Sequence, residues 1–360
     1  MIIHTHRKPR LMKWTKILLL GGMLLVLVFA VITGVAGMYA KSELAKQYPP
    51  PGQLVDIGGY SLHIHCVGYG SPTIIMDSGL NEFSVQWVEI QSEVSKYGRA
   101  CSYDRAGFGW SEAGLYPRTS ETIIKELHTL LEKARIEGPY VLVGHSFGGM
   151  NMRLYAHHFP SEVIGMVLVD AAHEGQSVRV PALQKASEQV LGQFRLLARL
   201  TSLGLLALSP NDIPDRGLSG ETLAQYRAIL ATTDYFDTAI AETEALDKSF
   251  SEVRAAKINS LGNIPLIVLS RGLSDPLPDA TEIENRQYEQ SWKEMQVELV
   301  ALSQKGKQIV AMQSKHYIHL TQPQLVIDAI RNVATHPTKL PQMDIISFSD
   351  RNANNPSGSW

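Results

Sequence analysis

Beyond residue 53, short apolar runs alternate with segments of helical period, and that alternation leaves few folds open. The strand-length runs are Leu62–Val67, Thr73–Met76, Ala100–Tyr103, Tyr140–Val143, Met166–Val169, Leu266–Leu269 and Gln308–Met312. Helical patterns sit between most of them, at Thr119–Arg135, Gly148–His158, Thr281–Ser303 and Gln324–Thr335. Alternating β and α over this length predicts an α/β protein, with a mostly parallel sheet covered by helices on both faces. The early strands, before Pro72, read as an antiparallel hairpin. One interval breaks the rhythm. Between Val169 and Leu266 nothing reads as a good strand, and helical patterns such as Gln193–Ala207 and Gly220–Leu230 fill it. A single crossover does not need about 90 residues, so 173–263 is predicted to be an inserted helical lid.

The N-terminus is a different material. From Ile17 to Tyr39 there is no charged residue, and as a helix this stretch would be about 34 Å long, enough to cross a hydrocarbon core. Arg7, Lys8, Arg10, Lys13 and Lys16 precede it without an acidic residue, which predicts a cytoplasmic N-terminus (1–16), a transmembrane signal anchor (17–39) and an extracytoplasmic body. The competing reading is a cleavable signal and a secreted protein, with a weak small-residue site near Gly34-Val35-Ala36. Tyr48-Pro49-Pro50-Pro51-Gly52 ends a linker expected over 40–52. The formal net charge of −2 hides this division, because without residues 1–16 it is −7, from 28 Lys and Arg against 35 Asp and Glu. An acidic body disfavours nucleic acid as a partner. The last segment, 341–360, reads as a flexible tail.

The chemistry centres on Gly144-His-Ser146-Phe-Gly148, directly after an apolar run and before a helical pattern. A serine on a tight strand-to-helix turn leaves no room for side chains at 144 and 148. A serine hydroxyl is a poor nucleophile near neutral pH and needs a base, which in turn needs an orienting carboxylate. Asp275 follows a late strand, and His316 lies just past the last one. Both fall at C-terminal strand ends, where open α/β sheets place their sites. Asp170, ending the strand before the insertion, is the alternative acid, with Asp279 a lesser one. His319 is the alternative base. Cys66 and Cys101 fall on the second and fourth strands, where a cross-strand disulfide and two buried thiols are both open readings. No CxxC or Cys/His cluster suggests a metal site, and no cofactor is implied.

Over roughly residues 53–335 the sequence resembles the α/β-hydrolase superfamily. Besides the Ser146 turn, the resemblance rests on Asp77-Ser-Gly79-Leu80 after the third strand and on Tyr103-Asp104-Arg105-Ala-Gly107-Phe-Gly109-Trp-Ser111. Gly272-x-x-Asp275-x-x-Pro278, and His316 followed by Gln322-Pro323, complete it. Ser78 stands where many members have histidine. The resemblance implies an eight-stranded sheet, with a core of 53–172 and 264–340. It implies Ser146 as nucleophile, His316 as base and Asp275 as its orienter, with an oxyanion hole from the backbone N–H groups of Leu80 and Phe147. Serine at the turn separates the chain from dehalogenase and epoxide-hydrolase relatives, which use aspartate there. The resulting expectation is a membrane-anchored serine hydrolase cleaving a small, lipophilic carboxylic ester or an amide through an acyl-enzyme. An acyltransferase with the same acyl-serine chemistry and a catalytically silent ligand-binding protein are the alternatives.

Overall fold

The computed structural model describes residues 9–335, with side chains from Trp14 onward. The flexible tail expected at 341–360, and residues 1–8 of the basic N-terminus, lie outside the described residues. The strands are β1 (Gln53–Asp56), β2 (Ser61–Val67), β3 (Thr73–Asp77), β4 (Arg99–Tyr103), β5 (Tyr140–His145), β6 (Val163–Val169), β7 (Leu266–Arg271) and β8 (Gly306–Ala311). They form one sheet in the order β1-β2-β4-β3-β5-β6-β7-β8. β2 pairs antiparallel with β1 and β4, and every later pairing is parallel. This is the α/β-hydrolase fold.

The helices are α1 (Pro9–Gln47), α2 (Val88–Val94), α3 (Ser120–Lys133), α4 (Phe147–His158), α5 (Gln176–Arg179), α6 (Ala182–Ser202) and α7 (Leu205–Leu208). They continue as α8 (Gly220–Thr232), α9 (Tyr235–Glu244), α10 (Leu246–Ala256), α11 (Glu282–Val300), α12 (Ile318–Thr321) and α13 (Pro323–Thr335). Strand side chains alternate between two buried layers, as a sheet covered on both faces requires. Ile75, Leu142, Leu168 and Val268 pack with α3, α4 and α10. Ile74, Val143, Val167 and Leu269 pack with α2 and α13. Local signals fix where helices begin. Thr119 caps α3, and Thr281 with Glu284 forms a capping box on α11.

Everything between β6 and β7 is helical or irregular. Helices α6 to α9 build a cluster in which Phe194, Tyr226, Leu230 and Phe236 close over Phe83 and Phe108 of the core. α10 behaves differently, since Phe250 and Val253 join the layer beneath the sheet. The last helix of the inserted segment is therefore part of the core.

The N-terminal segment also differs from expectation. α1 does not stop at Tyr39 but continues to Gln47, so only 48–52 of the expected linker is non-helical. Residues 40–47 are mostly good helix formers, Lys46 pairs with Glu43 at 2.9 Å, and Pro49 ends the helix. The helix from Trp14 is long and apolar enough to cross a membrane. Cys66 and Cys101 face each other across β2 and β4 and are joined as a disulfide.

Candidate active site

The turn after β5 explains its own glycines. Ser146 sits at φ 50° and ψ −119°, a left-handed conformation that strains a non-glycine residue. A Cβ on Gly144 would lie 2.5 Å from the Gly149 backbone, and one on Gly148 would lie 2.4 Å from the carbonyl oxygen of Asp77. Neither position admits a side chain. The strained turn is held from outside: the Ser146 amide donates to Val169 O, and the Ser146 carbonyl accepts from Gly149 and Ala172.

His316 Nε2 lies 2.9 Å from Ser146 Oγ, and its Nδ1 lies 2.7 Å from Asp170 Oδ2. The serine, the imidazole and a carboxylate thus form a continuous hydrogen-bonded line. One sequence expectation needs correction here. The carboxylate at the histidine belongs to Asp170, not to Asp275, which is partly exposed and has its carboxylate 3.7 Å from Lys315. Asp279 accepts from Gln189 at the surface. Asp170 is fully buried at the end of β6, between residues of β7 and α11. It accepts from the Arg271 amide, the Arg271 guanidinium and the Trp292 indole N–H. Burial alone would raise its pKa. The hydrogen bond and charge of His316, with Arg271 and Trp292, reverse that and hold it at about 2. Arg271 is steadied in turn by stacking over Trp292, 4.5 Å from the ring centre.

The loop after β3 packs against the start of α4 through the Gly148 contact with the Asp77 and Ser78 carbonyls. The same loop sets Gly79, the residue before Leu80, against the turn, where a Cβ would lie 2.8 Å from His145 Nδ1. Phe147 is the first residue of α4, so its amide is one of the donors that a helix N-terminus leaves without an intrahelical acceptor. Arg105 pins the opposing loop. It is fully enclosed, pairs with Asp77 and Glu242 at 2.7 Å each, and donates to the carbonyls of Ser78 and Gly79. Asp104 braces the same region by accepting from the Ser84 and Trp110 amides while paired with His63.

A second histidine–carboxylate pair lies below the first. Glu82 Oε2 is 3.0 Å from His145 Nδ1 and accepts from the Gly79 amide, while His145 Nε2 is 3.2 Å from the His316 carbonyl. Burial pushes the Glu82 pKa up, but the three surrounding imidazoles, His145 foremost, bring it to about 2. His319 does not reach Ser146. It is buried against Trp87, its Nε2 is 3.0 Å from Gln86 Oε1, and burial followed by the nearby His145 drives its pKa well below the usual imidazole value. Among the described residues, Glu82, His145 and His319 also group their donor atoms within 4.8 Å of one another, the chemistry a metal ion would need. Two of the three already bond each other.

Sequence reading missed Glu82, Arg271 and Trp292. Their sites are built by packing between distant segments, and none carries a local motif. Two cavities with some lining residues in common lie under the lid. One, of about 240 Å³, is lined by Leu80, Gln86 and Tyr317. The other, of about 380 Å³, is mostly apolar and shares Phe194, Arg216, Tyr226 and Tyr235 with the first.

A family model for the alpha/beta hydrolase fold matches residues 72–220. The uncharacterized protein YqjL of Bacillus subtilis (strain 168) is 27% identical over 278 residues, covering 77% of this chain and 89% of that protein. Among solved structures, the epoxide hydrolase CorEH superposes with a TM-score of 0.58 at 15% identity, covering 78% of this chain and 97% of that one. The enol-lactonase from Burkholderia xenovorans LB400 gives a TM-score of 0.53 at 17% identity, covering 79% and 100%. At such identities the structural likeness speaks for the fold alone.

Proposed function

We propose that this chain, a member of the α/β-hydrolase superfamily, is a serine hydrolase that cleaves a carboxylic ester through an acyl-enzyme. The observation that carries the reading is the line from Ser146 Oγ through His316 to Asp170, at 2.9 and 2.7 Å. Ser146 Oγ attacks the ester carbonyl while His316 Nε2 takes its proton. Asp170 holds the ring with Nδ1–H toward itself and stabilises the imidazolium that forms. The amides of Leu80 and Phe147 receive the developing oxyanion. The C–O bond to the alcohol then breaks, the alcohol leaves with the proton from His316, and water, activated by the same histidine, releases the acid from Ser146. A serine with an imidazole in hydrogen-bond reach fits acyl transfer.

Labelling with a fluorophosphonate probe tests the assignment. The natural chain reacts, and Ser146→Ala and His316→Ala do not. A natural chain that fails to label removes the enzyme reading.

The helix α1 is read as a single-pass anchor with the enzyme domain outside the cytoplasm. The Cys66–Cys101 disulfide supports that side of the membrane, because cytosolic thiols are kept reduced. A phosphatase reporter fused to the C-terminus is then active only outside the cytoplasm, and a form shortened at its N-terminus in the medium would speak for signal cleavage instead.

A further inference from the structure

α1 does more than end where the body begins. Its uncharged stretch closes at Tyr39, and two residues earlier the Gly37 backbone meets the backbone of Gly204, the residue just before α7. A Cβ on Gly37 would lie 2.7 Å from the Gly204 carbonyl carbon, and a Cβ on Gly204 would lie 2.4 Å from the Gly37 carbonyl carbon. The contact is backbone to backbone, of the kind two segments make only when both are glycine. One and two turns further along, Ala40 and Leu44 pack into the lid's own apolar cluster. The lid is therefore seated on the anchor.

The segment at that seat is also a cavity wall. Leu205 and Leu206, directly after Gly204, line the 380 Å³ cavity with Leu197, Leu200, Phe194 and Phe236. A volume of this size is that of a small-ligand pocket. The lining is mostly aliphatic and aromatic, with Gln193, Ser209 and Asp212 among its polar members, and at Arg216, Tyr226 and Tyr235 it shares residues with the cavity beside Leu80 and Tyr317. Leu203 and Leu208, on either side of the seat, expose 56% and 43% of their surface. Such residues are costly in water and at home in the acyl region of a bilayer. Tyr39, exposed beside Gly37, is the residue type that marks the membrane–water boundary. With α1 spanning a bilayer, the cavity wall stands at that boundary.

From this placement we infer that the lid cavity takes the acyl chain of a lipophilic ester drawn from the bilayer on which the enzyme is anchored. The chain enters beside α7, and its carboxyl end reaches Ser146 past the shared Arg216, Tyr226 and Tyr235. The inference rests on the serine-hydrolase reading and adds to it the substrate class and the route of entry. Each methylene that the cavity covers favours a longer chain by about fourfold in binding.

The test uses the full-length chain in phosphatidylcholine vesicles, with p-nitrophenyl palmitate dissolved in the bilayer and p-nitrophenyl acetate in the water. Gly37→Val places a branched side chain against Gly204 and unseats the lid. Palmitate turnover is expected to fall about tenfold or more while acetate turnover stays unchanged. Equal losses on both substrates, or no loss on either, overturn the inference. A binding readout stands beside the kinetics: Ser146→Ala protein in the same vesicles is irradiated with a diazirine-bearing palmitate ester. Adducts are expected in the segment 193–236, and adducts confined to α1 overturn the inference. Acetate hydrolysis by the natural chain without lid adducts sinks only the acyl-chain cavity. Lid adducts in a chain that never labels with fluorophosphonate uphold the cavity and sink the hydrolase reading.

Discussion

Arg105 donates to the carbonyl oxygen of Gly79 at 2.6 Å, gripping the peptide whose other end is the Leu80 amide. In a trans peptide the C=O and N–H point in opposite directions, so holding the one aims the other. A guanidinium on the loop after β4 thereby orients a donor proposed for the oxyanion hole. Its five N–H groups reach Asp77, Glu242 and the carbonyls of Ser78, Gly79 and Glu82 at once, which an ammonium could not do. Arg105→Lys keeps the charge and loses the grip. Turnover of p-nitrophenyl acetate is expected to fall about tenfold to a hundredfold, with KM changed far less. A variant that is merely less stable, with natural turnover below its unfolding temperature, would show that Arg105 only braces the fold.

The choice between two aspartates is open to a direct comparison. Asp170→Asn leaves His316 without its carboxylate, and the loss in turnover should be on the order of 10⁴. Asp275→Asn removes a partly exposed group facing Lys315 and should change turnover by no more than about twofold. The reverse ranking would return the acid to the loop after β7.

Acid should weaken the fold through two buried carboxylates. Asp170 and Glu82 both have folded-state pKa values of about 2, against ordinary values of 3.8 and 4.5. A depressed pKa contributes stability that is complete above the ordinary value and is lost as pH falls toward the folded one. The loss should run from about pH 5 to pH 2 and amount to about 2–3 kcal/mol per group. Urea unfolding of detergent-solubilised protein at a series of pH values measures it. An equally steep decline in an Asp170→Asn/Glu82→Gln double variant would assign the acid sensitivity to other groups.

The disulfide closes a loop between positions 35 residues apart. Loop closure of that length stabilises the folded state by about 3–4 kcal/mol in the chain-entropy account. Cys66→Ser/Cys101→Ser protein should lose about that much, and unreduced natural protein should show no free thiol by mass spectrometry. Two free thiols in material taken from the membrane would contradict both the bond and the compartment read from it.

The serine and the imidazole of the proposed site were legible because local rules demand them. Gly144 and Gly148 are fixed by contacts within a few residues of Ser146 or directly beneath it, and His316 follows the last strand in the order the fold requires. The carboxylate at His316 was less legible, since Asp170 and Asp275 each follow a strand. Arg271 and Trp292 converge on Asp170 from β7 and α11, and their convergence exists only in three dimensions. Glu82 stands 63 positions from His145, with nothing in its own neighbourhood to mark it. β1 is four residues long and mostly exposed, so its pattern carried no signal beyond a hairpin. The helical reach of α1 to Gln47 was hidden by the prolines after it, which announce a linker but only end the helix.

With α1 as the proposed membrane anchor, that reach has a mechanical consequence. From Tyr39 to Gln47 the helix adds about 12 Å at its ordinary rise, with the lid seated against it. A domain on a loose tether tumbles over its membrane and meets solutes from any direction. A domain on a helical strut keeps one attitude to the surface. It can search only by sliding in the plane, so encounters are counted per area of membrane and scale with the surface density of substrate.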